Sequence, residues 1–144
     1  MNYRKIISLY QILGGLSGLF VITQLLSGIG HSYISYFIVF IILYFIMILA
    51  GVLLFQENAK GQNLTIIIQS LQILQFSLGG LQYKFGAGTA ILIGFKNIMY
   101  KLSINLMPIY AEFNWAINDK GFFLYINIVP IFIIYLLKKT AINK

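Results

Sequence analysis

Three long stretches of this 144-residue chain carry no charged side chain: 6–56, 61–83 and 121–137. A helix that crosses a bilayer needs about 20 apolar residues. The first stretch has room for two crossings, the second for one, and the third is marginal. All 10 basic and 3 acidic residues fall outside these windows, so charge is excluded from them rather than thinly spread. The composition agrees, with 60% hydrophobic and 9% charged residues against roughly 45–50% and about 25% in ordinary soluble domains. The chain is too apolar for a soluble enzyme or a disordered segment. With no cysteine it cannot be a disulfide framework, a thiolate zinc site or an intramembrane thiol oxidoreductase. A small polytopic membrane protein remains.

The polar break Ser27-Gly28-Ile29-Gly30-His31-Ser32 divides the first window. Transmembrane helices are expected at about 6–27, 33–55 and 62–82, with a shorter fourth apolar span near 122–138. The basic leader Met1-Asn2-Tyr3-Arg4-Lys5 imitates a secretory signal. However, the apolar stretch after it is longer than a signal core of roughly 7–15 residues and a second span follows at once, so the first helix is read as uncleaved. With four crossings, Arg4, Lys5, Lys60, Lys138, Lys139 and Lys144 share one side and Lys84, Lys96, Lys101 and Lys120 the other. The positive-inside rule then places both termini in the cytoplasm. The bias toward isoleucine, asparagine, tyrosine and lysine suggests an AT-rich bacterial genome, hence the bacterial inner membrane. The net charge of +7 reads as topology signal and attraction to anionic lipid; no basic cluster interleaved with aromatics points to nucleic acid.

Little in the windows offers chemistry. Proton relays and coupled transporters rely on ionisable groups inside the bilayer, and residues 6–56 hold none apart from His31 in the break. One histidine and no cysteine make no metal site, and the single aspartate, Asp119, forms no dyad. No catalytic residue, cofactor or metal is expected.

Packing chemistry is plentiful. Gly14 and Gly18 form a small-xxx-small pair in the first helix, which lets two backbones approach closely. Tyr33, Phe37, Phe40 and Tyr44 make an aromatic stripe in the second. Gln62, Thr65, Gln69 and Gln72, with Gln75 at the edge, form an amide stripe in the third, read as a polar seam between helices or, alternatively, a pore lining.

Past the third window the period changes from helical to two. Tyr100, Leu102, Ile104 and Leu106 alternate with Lys101, Ser103 and Asn105, and Phe113, Trp115 and Ile117 alternate with Glu112, Asn114 and Asn118. Such alternation indicates half-buried strands. Residues 90–96 are a further candidate. A turn at Asn97-Ile98 sets Phe95 opposite Tyr100 and Ile93 opposite Leu102. A loop at 107–110 sets Ile104 opposite Phe113 and Leu102 opposite Trp115. Pro130 suits an early helical position, so an extended stretch from residue 122 is expected to pass into helix near Asn127.

The expected fold is therefore an integral membrane α+β protein with four transmembrane helices, or three plus one short one. A small antiparallel β-meander of three to four strands is inserted between the third and fourth. The expected divisions are 1–83 for three helices, 84–121 for the extramembrane β-segment, and 122–144 for the last span and basic tail. A sheet with one apolar face needs a cover. Tyr100, Leu102, Ile104, Phe113, Trp115 and Ile117 are the candidate interaction surface, and the lipid bilayer, a second copy or another membrane protein the candidate partners. The leading functional expectation is a non-enzymatic assembly or accessory subunit. The alternatives are an oligomeric channel or membrane-permeabilising effector, and a protein or enzyme that handles a lipid or other apolar ligand.

Overall fold

A computed structural model describes residues 3–28, 34–78, 81–97, 99–105, 109–114 and 121–141. The chain divides into two compact units, Met1–Ile68 and Gln69–Lys144.

In the first unit, α1 (Tyr3–Gly28) and α2 (Ile34–Phe55) pack along each other. The helix α3 (Ala59–Leu71) follows after a tight turn. That turn is built from backbone bonds. The amide of Asn58 donates to Leu53 O and that of Glu57 to Leu54 O, both at 3.0 Å, with Glu57 in the left-handed region at φ 58°. This is the arrangement that satisfies the last carbonyls of a helix, with a glutamate where glycine is usual. Asn58 then caps α3, its Oδ1 accepting from the Lys60 amide at 2.9 Å.

Among the described residues, only α1 and α2 are long and apolar enough to cross a membrane, over Tyr3–Leu26 and Phe37–Phe55. This overturns the expected integral membrane fold of four helices. The third helix does not run over 62–82; it is 13 residues long and ends at Leu71. Beyond it the polar residues Gln75 and Ser77 alternate with Leu74, Phe76 and Leu78, and that two-residue period wins over the helical stripe behind it. The last helix, α4 (Ile128–Ala141), has 14 residues, too few for a crossing at 1.5 Å per residue.

The second unit is a sheet. Its strands are β1 (Leu74–Leu78), β2 (Leu81–Ala87), β3 (Ala90–Lys96), β4 (Met99–Asn105), β5 (Ile109–Asn114) and β6 (Phe123–Asn127). All pairs are antiparallel, and the order across the sheet is β4-β3-β6-β1-β2-β5. The expected meander of three to four strands is thus also corrected. β4 and β5 do not pair, so Ile104 does not meet Phe113; β5 joins β2 instead, with Phe113 opposite Tyr83. The hairpins β1–β2 and β3–β4 stand on either side of β6, which joins both. The two strands at the centre, β1 and β6, carry no charged residue, whereas the edge strands β4 and β5 carry Lys101 and Glu112, as suits strands with an open side.

Three local features hold this order. Gly94 lies where β6 crosses closest: a Cβ there would overlap the carbonyl of Leu124. Asn97 turns the β3–β4 hairpin at φ 49°, a left-handed conformation asparagine tolerates without being glycine. It also exchanges bonds with Phe122, donating from its amide at 2.8 Å and accepting at Oδ1 at 3.2 Å. Asn127 ends β6 and starts α4. Its Oδ1 accepts from the amides of Val129 at 3.3 Å and Ile91 at 3.2 Å, so one side chain caps the helix and ties it to β3. The core of this unit includes Phe85, Ala87, Ala90 and Leu92 with Ile133 and Leu137 of α4, and α4 contacts β3.

Candidate functional site

In an antiparallel ladder, directly paired residues point to the same face and alternate residues share it. One row therefore runs Tyr100, Phe95, Leu124, Phe76, Tyr83 across five strands, and the next runs Leu102, Ile93, Ile126, Leu74. The residues in phase with these rows are Leu78, Leu81, Phe85, Ala87, Ile91 and Ile104. No charged or amide side chain occurs on this face of β1, β2, β3, β4 or β6. The reverse face holds Gln75, Ser77, Gln82, Lys84, Lys96, Lys101, Ser103 and Asn127, together with Ala90, Leu92, Met99, Phe123 and Tyr125.

Exposure is uneven across the apolar face: Phe85 and Ala87 are buried, whereas the end of β1 and all of the face's residues on β4 are open. Leu78 is 63% exposed, Leu102 56%, Ile104 64% and Tyr100 64%. On the reverse face Gln75 is 1% exposed and Asn127 2%. The ring pairs on the apolar face, Phe95 edge-on to Tyr100 at 6.0 Å and Phe76 beside Tyr83 at 5.9 Å, give it local rigidity. The Tyr83 hydroxyl donates to Leu71 O at 2.8 Å, and burial pushes its pKa up to about 12. Across the sheet, Lys84 lies over the Phe123 ring at 5.1 Å.

Of the residues expected on the interaction surface, Tyr100, Leu102 and Ile104 lie on the edge strand β4 and are exposed. Phe113 lies on β5. Trp115 and Ile117 fall outside the described residues, as does His31. The face extends to Leu74, Leu78, Phe95, Leu124 and Ile126, each exposed; of these, the sequence assigned Leu74 and Leu78 to the third helix instead. Their signal was available: the alternation at 74–78 and, at 81–85, its continuation beyond Gly79-Gly80, a two-residue glycine connection of the kind that joins hairpin strands.

The expected amide stripe is divided by the end of α3. Gln62 accepts from the Arg4 guanidinium at 3.1 Å, Thr65 and Gln69 are buried on α3, and Gln72 and Gln75 are buried beyond its end. Gln72 Oε1 accepts from the Ala87 amide at 3.3 Å. Both amide atoms of Gln11 and Gln69, and the Thr65 hydroxyl, find no hydrogen-bond partner among the described residues.

In the α1–α2 hairpin, Gly14, Gly15 and Gly18 are all buried. A Cβ on Gly18 would overlap the Tyr44 ring, and one on Gly15 would come within 2.6 Å of Ile48 Cγ1. Gly51 makes the reciprocal approach from α2, toward Ile12 Cγ1 at 2.7 Å and Ser8 O at 3.0 Å. The outer surface is Ile6, Leu9, Leu13, Leu16 and Phe20 on α1, and Ile38, Ile42, Phe45, Leu49 and Val52 on α2.

Among the described residues no group of three or more His, Cys, Asp or Glu side chains is placed to hold a metal. No protein family, curated protein or solved structure matches the chain.

Proposed function

We propose that this is a membrane-anchored, non-enzymatic accessory protein. The α1–α2 hairpin is the anchor and the sheet docks on a membrane constituent through its apolar face. The observation that carries this reading is the set of exposed apolar side chains on a face that bears no charged or amide group on β1, β2, β3, β4 or β6, with Leu78, Leu102 and Ile104 each more than half exposed. The anchor is supported by the outer stripe of both helices. Only 39% and 33% of their candidate spans are buried, whereas an apolar core helix of a soluble protein is mostly buried.

Two crossings also sharpen the topology. The connection between α1 and α2 contains no lysine or arginine, so all 10 basic residues fall on the side of the termini. The positive-inside rule then puts both termini and the sheet in the cytoplasm, with the bacterial inner membrane as the site.

The test replaces Leu102 and Ile104 together by lysine in the full chain, reconstituted in vesicles with protease admitted to both sides. The expected result is cleavage within residues 69–144 that the wild type resists, while α1–α2 remains in carbonate-washed membranes. Equal resistance of the two proteins overturns the docking role.

A second reading, a channel built from several copies, draws on the unpartnered amides of Gln11 and Gln69. Buried groups of this kind demand water or a polar partner. Dye leakage from loaded vesicles that falls with Gln11→Leu and Gln69→Leu supports it; an absence of leakage in the wild type removes it.

A further inference from the structure

We infer that the occupant of the apolar sheet face is lipid: the sheet lies flat at the bilayer interface, with this face in the outer acyl layer and the reverse face toward head groups and water. The inference rests on the docking role proposed above and names its partner.

Four observations carry it. First, on β1, β2, β3, β4 and β6 the tyrosine hydroxyls are the sole hydrogen-bonding side-chain groups on the face. Protein interfaces are about 56–65% apolar and make about one hydrogen bond per 100–200 Å²; a surface with almost no such groups matches hydrocarbon. Second, charge is partitioned to one side. Lys84, Lys96 and Lys101 all project from the reverse face, and Lys138 and Lys139 close α4. A basic side backed by an apolar one is the pattern of elements lying in the interface of anionic membranes.

Third, a second copy laid on the sheet would cover roughly 600 Å² per chain, from strand spacings of about 4.8 Å and rises of about 3.3 Å. That is only the lower limit of a stable dimer. Fourth, among the described residues β4 and β5 are the outer strands of the sheet, and edge backbone groups cannot be left unpaired in hydrocarbon. A flat pose keeps those edges hydrated while the side chains of one face enter the lipid.

The absence of cysteine makes the test direct. Single cysteines replace Tyr100, Lys101, Leu102, Ser103 and Ile104 in turn in the full chain. Each is labelled with an environment-sensitive fluorophore and reconstituted into phosphatidylcholine–phosphatidylglycerol vesicles. Spin-labelled acyl chains are expected to quench positions 100, 102 and 104 several-fold more than 101 and 103, and aqueous iodide the reverse. The alternation itself reports that β4 is formed. Face positions shielded from both quenchers mean a protein cover: the lipid inference falls and the docking role stands. Face positions as open to iodide as 101 and 103, or no alternation with either quencher, overturn both.

Discussion

Along α1 the exposed apolar side chains recur every three to four residues, at Ile6, Leu9, Leu13, Leu16 and Phe20; along β4 they recur every two, at Tyr100, Leu102 and Ile104. Both regions turn apolar residues outward and bury some polar ones, as at Gln11 of α1 and Gln75 of β1. They differ in what their backbones allow. A helix satisfies its own amides and can be immersed on all sides, but an open sheet has two unpaired edges and can give up only a face. Thus the same apolar composition yields an element suited to crossing a bilayer in one unit and to lying on it in the other.

The largest effect expected is from Gly94→Val. The new side chain would occupy the carbonyl of Leu124, separating β3 from β6 at a cost on the order of 4 kcal/mol. Circular dichroism should show strand signal lost and helix signal kept; loss of both would mean that the units fold as one. Gly18→Leu addresses the other region. It drives into the Tyr44 ring, costs about 3 kcal/mol by overpacking, and should separate α1 from α2 in an intramolecular energy-transfer measurement while β4 quenching keeps its alternation.

Next comes Asn127→Ala, which removes the cap of α4 and its link to the Ile91 amide. A loss of about 1–2 kcal/mol should appear as a lower melting temperature of the sheet unit alone. The smallest effect is that of Tyr83→Phe, about 1 kcal/mol for the bond to Leu71 O. The Tyr83 pKa is raised to about 12 from 10.0, so unfolding releases its proton more readily. Its contribution is therefore complete below pH 10 and declines as pH rises toward 12. The difference in stability between wild type and Tyr83→Phe should shrink over that range, and a difference constant with pH would contradict it.

The sequence made some of this legible and hid the rest for physical reasons. The α1 and α2 spans follow from uninterrupted apolarity, and the pairing of Phe95 with Tyr100 and Ile93 with Leu102 from strict alternation. The passage from strand to helix at Asn127 follows from the place of Pro130. Gln62, Thr65 and Gln69 lie on one helical face, and that period masked the switch to two beginning at Leu74. Strand order was not legible, because any two charge-free strands alternate alike. What brings β6 between β1 and β3 is a close approach at Gly94 that no local pattern encodes. The wider apolar face was hidden with β1, since half of its central rows come from strands whose pairing is non-local.

The position of β6 also has a kinetic consequence. It is the last strand to leave the ribosome, yet it occupies the middle of the order β4-β3-β6-β1-β2-β5. Until it arrives, the β1–β2 and β3–β4 hairpins have no strand to join them, and isolated hairpins are marginally stable in water. Completion of the sheet must await synthesis through Asn127, and pairing so distant in sequence is slow. During that interval both hairpins offer apolar faces and open edges to any neighbour. If α1 and α2 are the anchor proposed above, they precede the sheet in the chain and would by then hold the nascent chain at the membrane, where lipid can shelter those faces before another chain reaches them.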